Sequence, residues 1–140
     1  MKARILNSIE KRDVLYSGRT SAQDLSSYGH AYRDEGQLSD ALEFYIQAED
    51  MSGIDNIKAD AIKHGDSFLL RRILRFDPDS VSANEWGELG HNARTSEKYR
   101  DALEAFTQAG DERKRKEVLK ELGVEDEGED EEEDEGGDDA

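Results

Sequence analysis

Residues 25–48 read LSSYGHAYRDEGQLSDALEFYIQA, residues 86–109 read WGELGHNARTSEKYRDALEAFTQA, and the two align without a gap at an offset of 61. Extended to 25–50 and 86–111, ten of the 26 positions are identical: Gly29/Gly90, His30/His91, Arg33/Arg94, Asp40/Asp101, Ala41/Ala102, Leu42/Leu103, Glu43/Glu104, Gln47/Gln108, Ala48/Ala109 and Asp50/Asp111. The shared residues are of eight types, which low complexity does not produce. The two segments are therefore copies of one structural unit, and internal repeats decide architecture before any other feature does.

The copy reads as two helices. Leu25, Tyr28, Gly29 and Tyr32 fall at i, i+3, i+4 and i+7, one face of a helix. Gly36 suits a left-handed helix end. Leu38, Ala41, Leu42, Tyr45 and Ala48 then make a second apolar stripe. The later copy follows the same plan with Trp86, Leu89, Gly90 and Ala93, then Tyr99, Ala102, Leu103, Phe106 and Ala109. Gly29 and Gly90 are expected to let two helix backbones approach closely. Ser82 followed by Glu85 predicts a capping box at the start of the second copy.

Trp86, Leu89 and Gly90, followed by Ala102, Phe106 and Ala109, resemble the signature of the tetratricopeptide repeat family. The first copy is similar at Gly29, Ala31, Tyr32, Gly36, Ala41, Tyr45 and Ala48, with Leu25 where Trp is typical. The resemblance implies an all-α solenoid of stacked helix hairpins, with the first helix of each hairpin lining a concave peptide groove. Two departures stand out. The closing Pro of the family pattern is replaced by Gly53 and Lys114, and the copies recur at 61 residues rather than at about 34.

Helical patterning also fills the remaining chain. Ile54, Ile57, Ala61 and Ile62, then Phe68, Leu69, Ile73 and Leu74, predict a shortened, degenerate pair of helices over 54–76, the first ending near His64-Gly65. Asp77 to Ser80 reads as a turn into the second copy. Ile5, Leu6, Ile9 and Leu15 predict a helix over 2–16 covering the first hairpin, and Val118, Leu119 and Leu122 an end helix over 112–122. With the repeats at 22–50 and 82–111, the expectation is about eight helices in one domain over 1–124. Residues 125–140 hold 12 acids, no cation and no apolar side chain except Ala140, the composition of a disordered tail.

Charge divides the same way. The net −16 leaves 23 acids and 19 Lys/Arg before residue 125, a body of about −4 (19 − 23) carrying an acidic tail. Such a tail repels polyanions, so nucleic acid is not an expected partner. With no Cys, disulfides and thiolate metal sites are excluded. No apolar run approaches the roughly 18 residues of a membrane span, and no secretion signal is evident, so a cytoplasmic protein without a membrane partner is expected.

Ser26, His30 and Arg33 lie at i, i+4 and i+7, off the apolar face, and Gly87, His91 and Arg94 take the same places in the second copy. One reading is a groove of imidazoles and guanidiniums suited to an acidic peptide. The other is that His and Arg cap or bridge neighbouring helices. A carboxylate-tail groove of the family would want Asn where His30 stands and Lys where Ser26 stands. A metal at His30 and His91 lacks a carboxylate at ligand spacing. Two basic clusters, Arg71, Arg72 and Arg75, and Arg113, Lys114, Arg115 and Lys116, read either as solvated faces or as binding sites for an acidic partner or phosphate.

No nucleophile elbow, Gly-rich phosphate loop or His-Glu metal motif is present, so neither catalysis nor a cofactor is expected. The expected function is a non-enzymatic adaptor or scaffold, a monomer or weak homo-oligomer that takes a peptide or helix in its groove. The alternatives are a chaperone that holds basic proteins through its acidic tail, and a subunit of a larger repeat assembly.

Overall fold

The computed structural model describes residues 3–124, which form eight helices and, among the described residues, no strand: α1 (Ser8–Tyr16), α2 (Ala22–Asp34), α3 (Leu38–Ala48), α4 (Met51–His64), α5 (Ser67–Phe76), α6 (Ala83–Thr95), α7 (Tyr99–Ala109) and α8 (Glu112–Leu122). The acidic segment 125–140 lies outside the described residues. No helix is long and apolar enough to cross a membrane, among the described residues.

Side-chain caps set where most of these helices begin. Asn7, Ser21, Asp50, Asp66, Ser82 and Asp111 each accept the backbone N–H three residues on, which starts α1, α2, α4, α5, α6 and α8. Such a bond satisfies one of the donors that every helix leaves without an intrahelical partner, and contributes about 1 kcal/mol. Asn7 with Glu10 and Ser82 with Glu85 close full capping boxes, the second as the sequence predicts. The second helix of each copy, α3 and α7, has no side-chain cap.

Two compact units divide the chain, one ending at Asp60 and including Arg75–Asp77, the other made of Ala61–Leu74 and the chain from Pro78 on. In the first unit, α2 and α3 pack as an antiparallel hairpin on Leu25, Tyr28, Tyr32, Ala41, Leu42, Phe44 and Tyr45, all buried. Phe44 stacks on both Tyr28 and Tyr32, with ring centroids 5.4 and 5.1 Å apart. Such pairs add about 0.5–1.5 kcal/mol beyond the area they bury. Lys11 ties α1 to α3 through Asp40 at 2.6 Å and Glu43 at 2.7 Å. Those two bonds hold the ammonium pKa above its usual value, against the opposing effect of burial.

The first helix is shorter than the expected 2–16. It begins at Ser8, because Asn7 caps it, and the chain before it is not helical; there the Leu6 N–H donates to the Tyr32 hydroxyl at 2.9 Å. The fourth helix is longer than expected, starting at Met51 behind its Asp50 cap.

In the second unit α6 and α7 repeat the hairpin on Trp86, Leu89, Ala93, Ala102, Ala105 and Phe106, and α8 seals α7 with Val118 and Leu119. The last turn of α4 is finished by its neighbours. Asn92 Nδ2 donates to the Ile62 carbonyl and Lys98 Nζ to that of His64, both at 2.8 Å. Gly65 leaves the helix at φ +68 and passes so close to Ala93 that a methyl group there would meet its Cα at 2.6 Å.

Gly29 and Gly90 serve packing in a different way from the expected backbone approach. What occupies the space of each missing side chain is an aromatic ring, Tyr45 over Gly29 and Phe106 over Gly90, at 2.6 Å from where a Cβ would stand.

Candidate functional site

In the first copy the residues off the apolar face of α2 are taken up within their own unit. Arg33 reaches Asp60 on α4 through two hydrogen bonds, Nε to Oδ2 at 2.8 Å and Nη2 to Oδ1 at 3.2 Å. The bond to Asp60 raises the guanidinium pKa further. His30 Nδ1 shares a 2.6 Å hydrogen bond with the Tyr45 hydroxyl. Burial raises the pKa of that phenol, so it stays protonated and available. Asp50 accepts from the Gly53 N–H at 2.9 Å and from the Ser26 side chain, and these bonds lower its pKa. Ser26, His30 and Arg33 are thus each joined to α3, α4 or the link between them.

The second copy repeats the guanidinium bridge. Arg94 Nε donates to Glu121 Oε1 at 2.6 Å and Nη1 to Glu117 Oε1 at 3.0 Å, both on α8. Hydrogen bonds to Glu117 and then Glu121 raise its pKa as well. Of the two readings of the Arg pair, the bridge between neighbouring helices describes both in this structure. Asp60 and Glu121 stand 61 residues apart, so the repeat continues into α4 and α8, beyond the segment in which residue identity reveals it.

Around His91 the copies diverge. Ser26 is replaced by Gly87, Tyr45 by Phe106 and Gly53 by Lys114. The first two changes remove the hydroxyls that engage Asp50 and His30 in the first copy. Nothing lies within 4 Å of where a Gly87 side chain would begin. An open notch of about 470 Å³ lies there on the second unit, lined by Asn84, Gly87, Glu88, His91, Asp111 and Lys114 among others. The Lys114 ammonium lies 5.8 Å from the centre of the Phe106 ring and 4.0 Å from the Asp111 carboxylate. The notch offers an ammonium, an imidazole and a side-chain amide as donors, with Glu88 and Asp111 as acceptors. These are the donor and acceptor types with which a carboxylate or a short polar side chain forms hydrogen bonds.

The basic clusters are partly spoken for. Arg71 donates to Glu104 at 3.3 Å and lies 5.8 Å from the centre of the Phe68 ring, a ring more than half exposed. Arg72 is half-buried in the same unit, whereas Arg75 is exposed and belongs to the first unit. On α8, Arg115 clasps Glu112 through both oxygens, at 2.7 to 3.0 Å. Arg113 is 78% exposed and reaches Glu117 only at 4.0 Å, while Lys116 is half-buried. Reading by type and spacing picks out these cations but not the carboxylates that meet them, Asp60, Glu104, Glu117 and Glu121. The available signal was the offset of 61, which pairs Asp60 with Glu121 and Glu43 with Glu104.

Among the described residues no three His, Asp or Glu side chains converge as a metal site would require. No family model matches the chain, and no curated protein or solved structure matches it.

Proposed function

We propose that this chain is a non-enzymatic interaction module, a solenoid of tetratricopeptide-like hairpins that takes a peptide or helix segment, with the notch on α6 as its anchor point. One observation carries this reading: the second copy leaves open, at Gly87 and His91, the positions that the first copy fills with its own hydroxyls. Burying a ligand carboxylate there would give it charge-assisted bonds from Lys114 and His91, stronger than those between neutral groups. Arg33 and Arg94 act as braces between helices, since a ligand would have to displace Asp60, Glu117 and Glu121 to use them.

The test is a titration followed by amide chemical shifts, using hexaglutamate, hexaglutamine and hexalysine as probes. It is run on the native chain and on a full-length variant with the 12 tail carboxylates converted to amides. Hexaglutamate is expected to shift Gly87, His91 and Lys114 in the variant, and Lys114→Ala to weaken that binding about tenfold, the worth of one charge-assisted bond. Hexaglutamate shifts scattered over the surface, or none, would sink the proposal. Strong binding of hexalysine alone, lost with the tail charges, would select the alternative of an acidic-tail chaperone.

A further inference from the structure

Resting on the reading of the notch as a peptide anchor, we infer that the notch selects a serine or threonine beside an acidic residue. His91 bonds the hydroxyl and Lys114 the neighbouring carboxylate.

The first copy supplies the template for the hydroxyl. There the Tyr45 hydroxyl and His30 Nδ1 share a 2.6 Å hydrogen bond, with the two rings tilted at 59° and their centroids 5.4 Å apart. The second copy keeps the imidazole and the aromatic ring but not the hydroxyl. A Cβ on Gly29 would stand 2.6, 2.8 and 3.0 Å from Cε1, Cδ1 and Cζ of Tyr45. One on Gly90 would stand 2.6, 2.8 and 2.9 Å from the same atoms of Phe106. The two rings therefore hold the same register against their helices, and His30 and His91 each directly follow the glycine. Phe106 carries only hydrogen at Cζ, where Tyr45 carries the oxygen that bonds His30. His91 is exposed, so an oxygen from outside the chain can take that role. Such an oxygen cannot lie as close to the ring as a bonded phenol oxygen does. It comes instead past Gly87, about one turn before His91 on α6. Nothing lies within 4 Å of where a side chain at Gly87 would begin.

The other groups of the notch favour a hydroxyl over a second carboxylate beside His91. Glu88 and Asp111 line the same notch. An ionised carboxylate accepts hydrogen bonds only, and these two acids repel it. A hydroxyl both donates and accepts, so it suits either carboxylate and either tautomer of the imidazole. The cation comes from Lys114, which replaces Gly53 of the first copy. Its ammonium is 4.0 Å from the Asp111 carboxylate, too far for a tight pair, and 5.8 Å from the centre of the Phe106 ring. His91 and Lys114 line one notch, so adjacent residues of one peptide can meet them.

The test uses two probes, hexaglutamate with its third residue changed to serine and the same peptide with alanine there. Each is titrated into the full-length variant with the amidated tail and followed by chemical shift. The serine peptide is expected to bind about three- to tenfold tighter, the worth of one hydrogen bond. It should also move the His91 ring nitrogen signals further than the alanine peptide does. Phe106→Tyr gives His91 the hydroxyl that His30 already has, and His91→Ala removes the imidazole. Each is expected to bring the two peptides to equal affinity. Without these substitutions, equal affinity or tighter binding of the alanine peptide would overturn the hydroxyl reading and leave the anchor standing. A serine preference that survives either substitution would overturn it as well, by placing the hydroxyl elsewhere. Failure of both peptides to shift Gly87, His91 and Lys114 would overturn the anchor and the hydroxyl reading together.

Discussion

Arg33 on α2 and Asp60 on α4 are joined by two hydrogen bonds, and 61 residues later Arg94 on α6 and Glu121 on α8 make the same bridge. The repeated element is therefore larger than a hairpin: a helix pair together with the helix that follows it, clasped by a guanidinium. The clasp occupies the face that a groove reading assigns to ligand, which moves the candidate anchor from Arg33 and Arg94 to the open positions around His91.

A double-mutant cycle on Arg33→Ala and Asp60→Ala should give a coupling of about 0.5–1 kcal/mol. The two side chains are 37% and 21% exposed, so solvent screens much of the attraction despite the paired geometry. Urea unfolding at low and high salt measures it. Additive single mutants would show that the bridge positions the helices without stabilising them.

The hairpins were legible because ten identities and a helical period report them locally. The clasps were not, for a physical reason: a period of 3.6 tells which face a cation occupies, and nothing about which carboxylate another helix brings to it. The start of α1 failed in the same way. Ile5 and Leu6 continue the apolar pattern, but the Leu6 backbone is held by the hydroxyl of Tyr32, 26 residues away. Asn7 and Glu10, the capping box that sets the true start, were readable in the sequence. Tyr45 to Phe106 looks conservative in the sequence, and its meaning at the notch depends on His30 bonding the lost hydroxyl.

Three glycine-to-alanine changes should differ in sign. Gly29→Ala and Gly90→Ala place a methyl 2.6 Å from the rings of Tyr45 and Phe106, which are fully buried and must shift to admit it. Overpacking of this kind costs about 1–3 kcal/mol and outweighs the gain of about 1 kcal/mol in helix propensity. Gly87→Ala meets nothing within 4 Å and should stabilise by about 0.5–1 kcal/mol. Urea midpoints followed by circular dichroism check all three; a stabilising Gly90→Ala would refute the ring-packing account.

The copies also exchange their left-handed residues. Gly36 (φ 76) corresponds to Glu97 (φ 60), and Gly110 (φ 74) to Glu49 (φ 54). A side chain in this region costs about 1–2 kcal/mol, part of which glycine returns through the freedom of its unfolded chain. Glu97→Gly and Glu49→Gly should each raise stability by about 0.5–1 kcal/mol, and Gly110→Ala should lower it. Thermal and urea unfolding decide; a loss on Glu49→Gly would mean that its side chain contributes more than the strain costs.

Asp50 provides the pH test. Its pKa lies below the ordinary carboxylate range because it accepts from the Gly53 N–H and then from Ser26. A folded-state pKa below the unfolded one adds stability that is fully present above the unfolded value of about 3.9 and is lost as pH falls through the folded value. Asp50→Asn keeps an acceptor for the cap but removes the negative charge at the start of α4, so it should cost about 0.3–1 kcal/mol at pH 7. The difference between native and variant proteins should hold at pH 5 and shrink toward pH 3. Subtracting the two unfolding curves at each pH cancels every other carboxylate common to both. A difference that stays constant down to pH 3 would show that the charge of Asp50 contributes nothing and that the cap geometry alone matters.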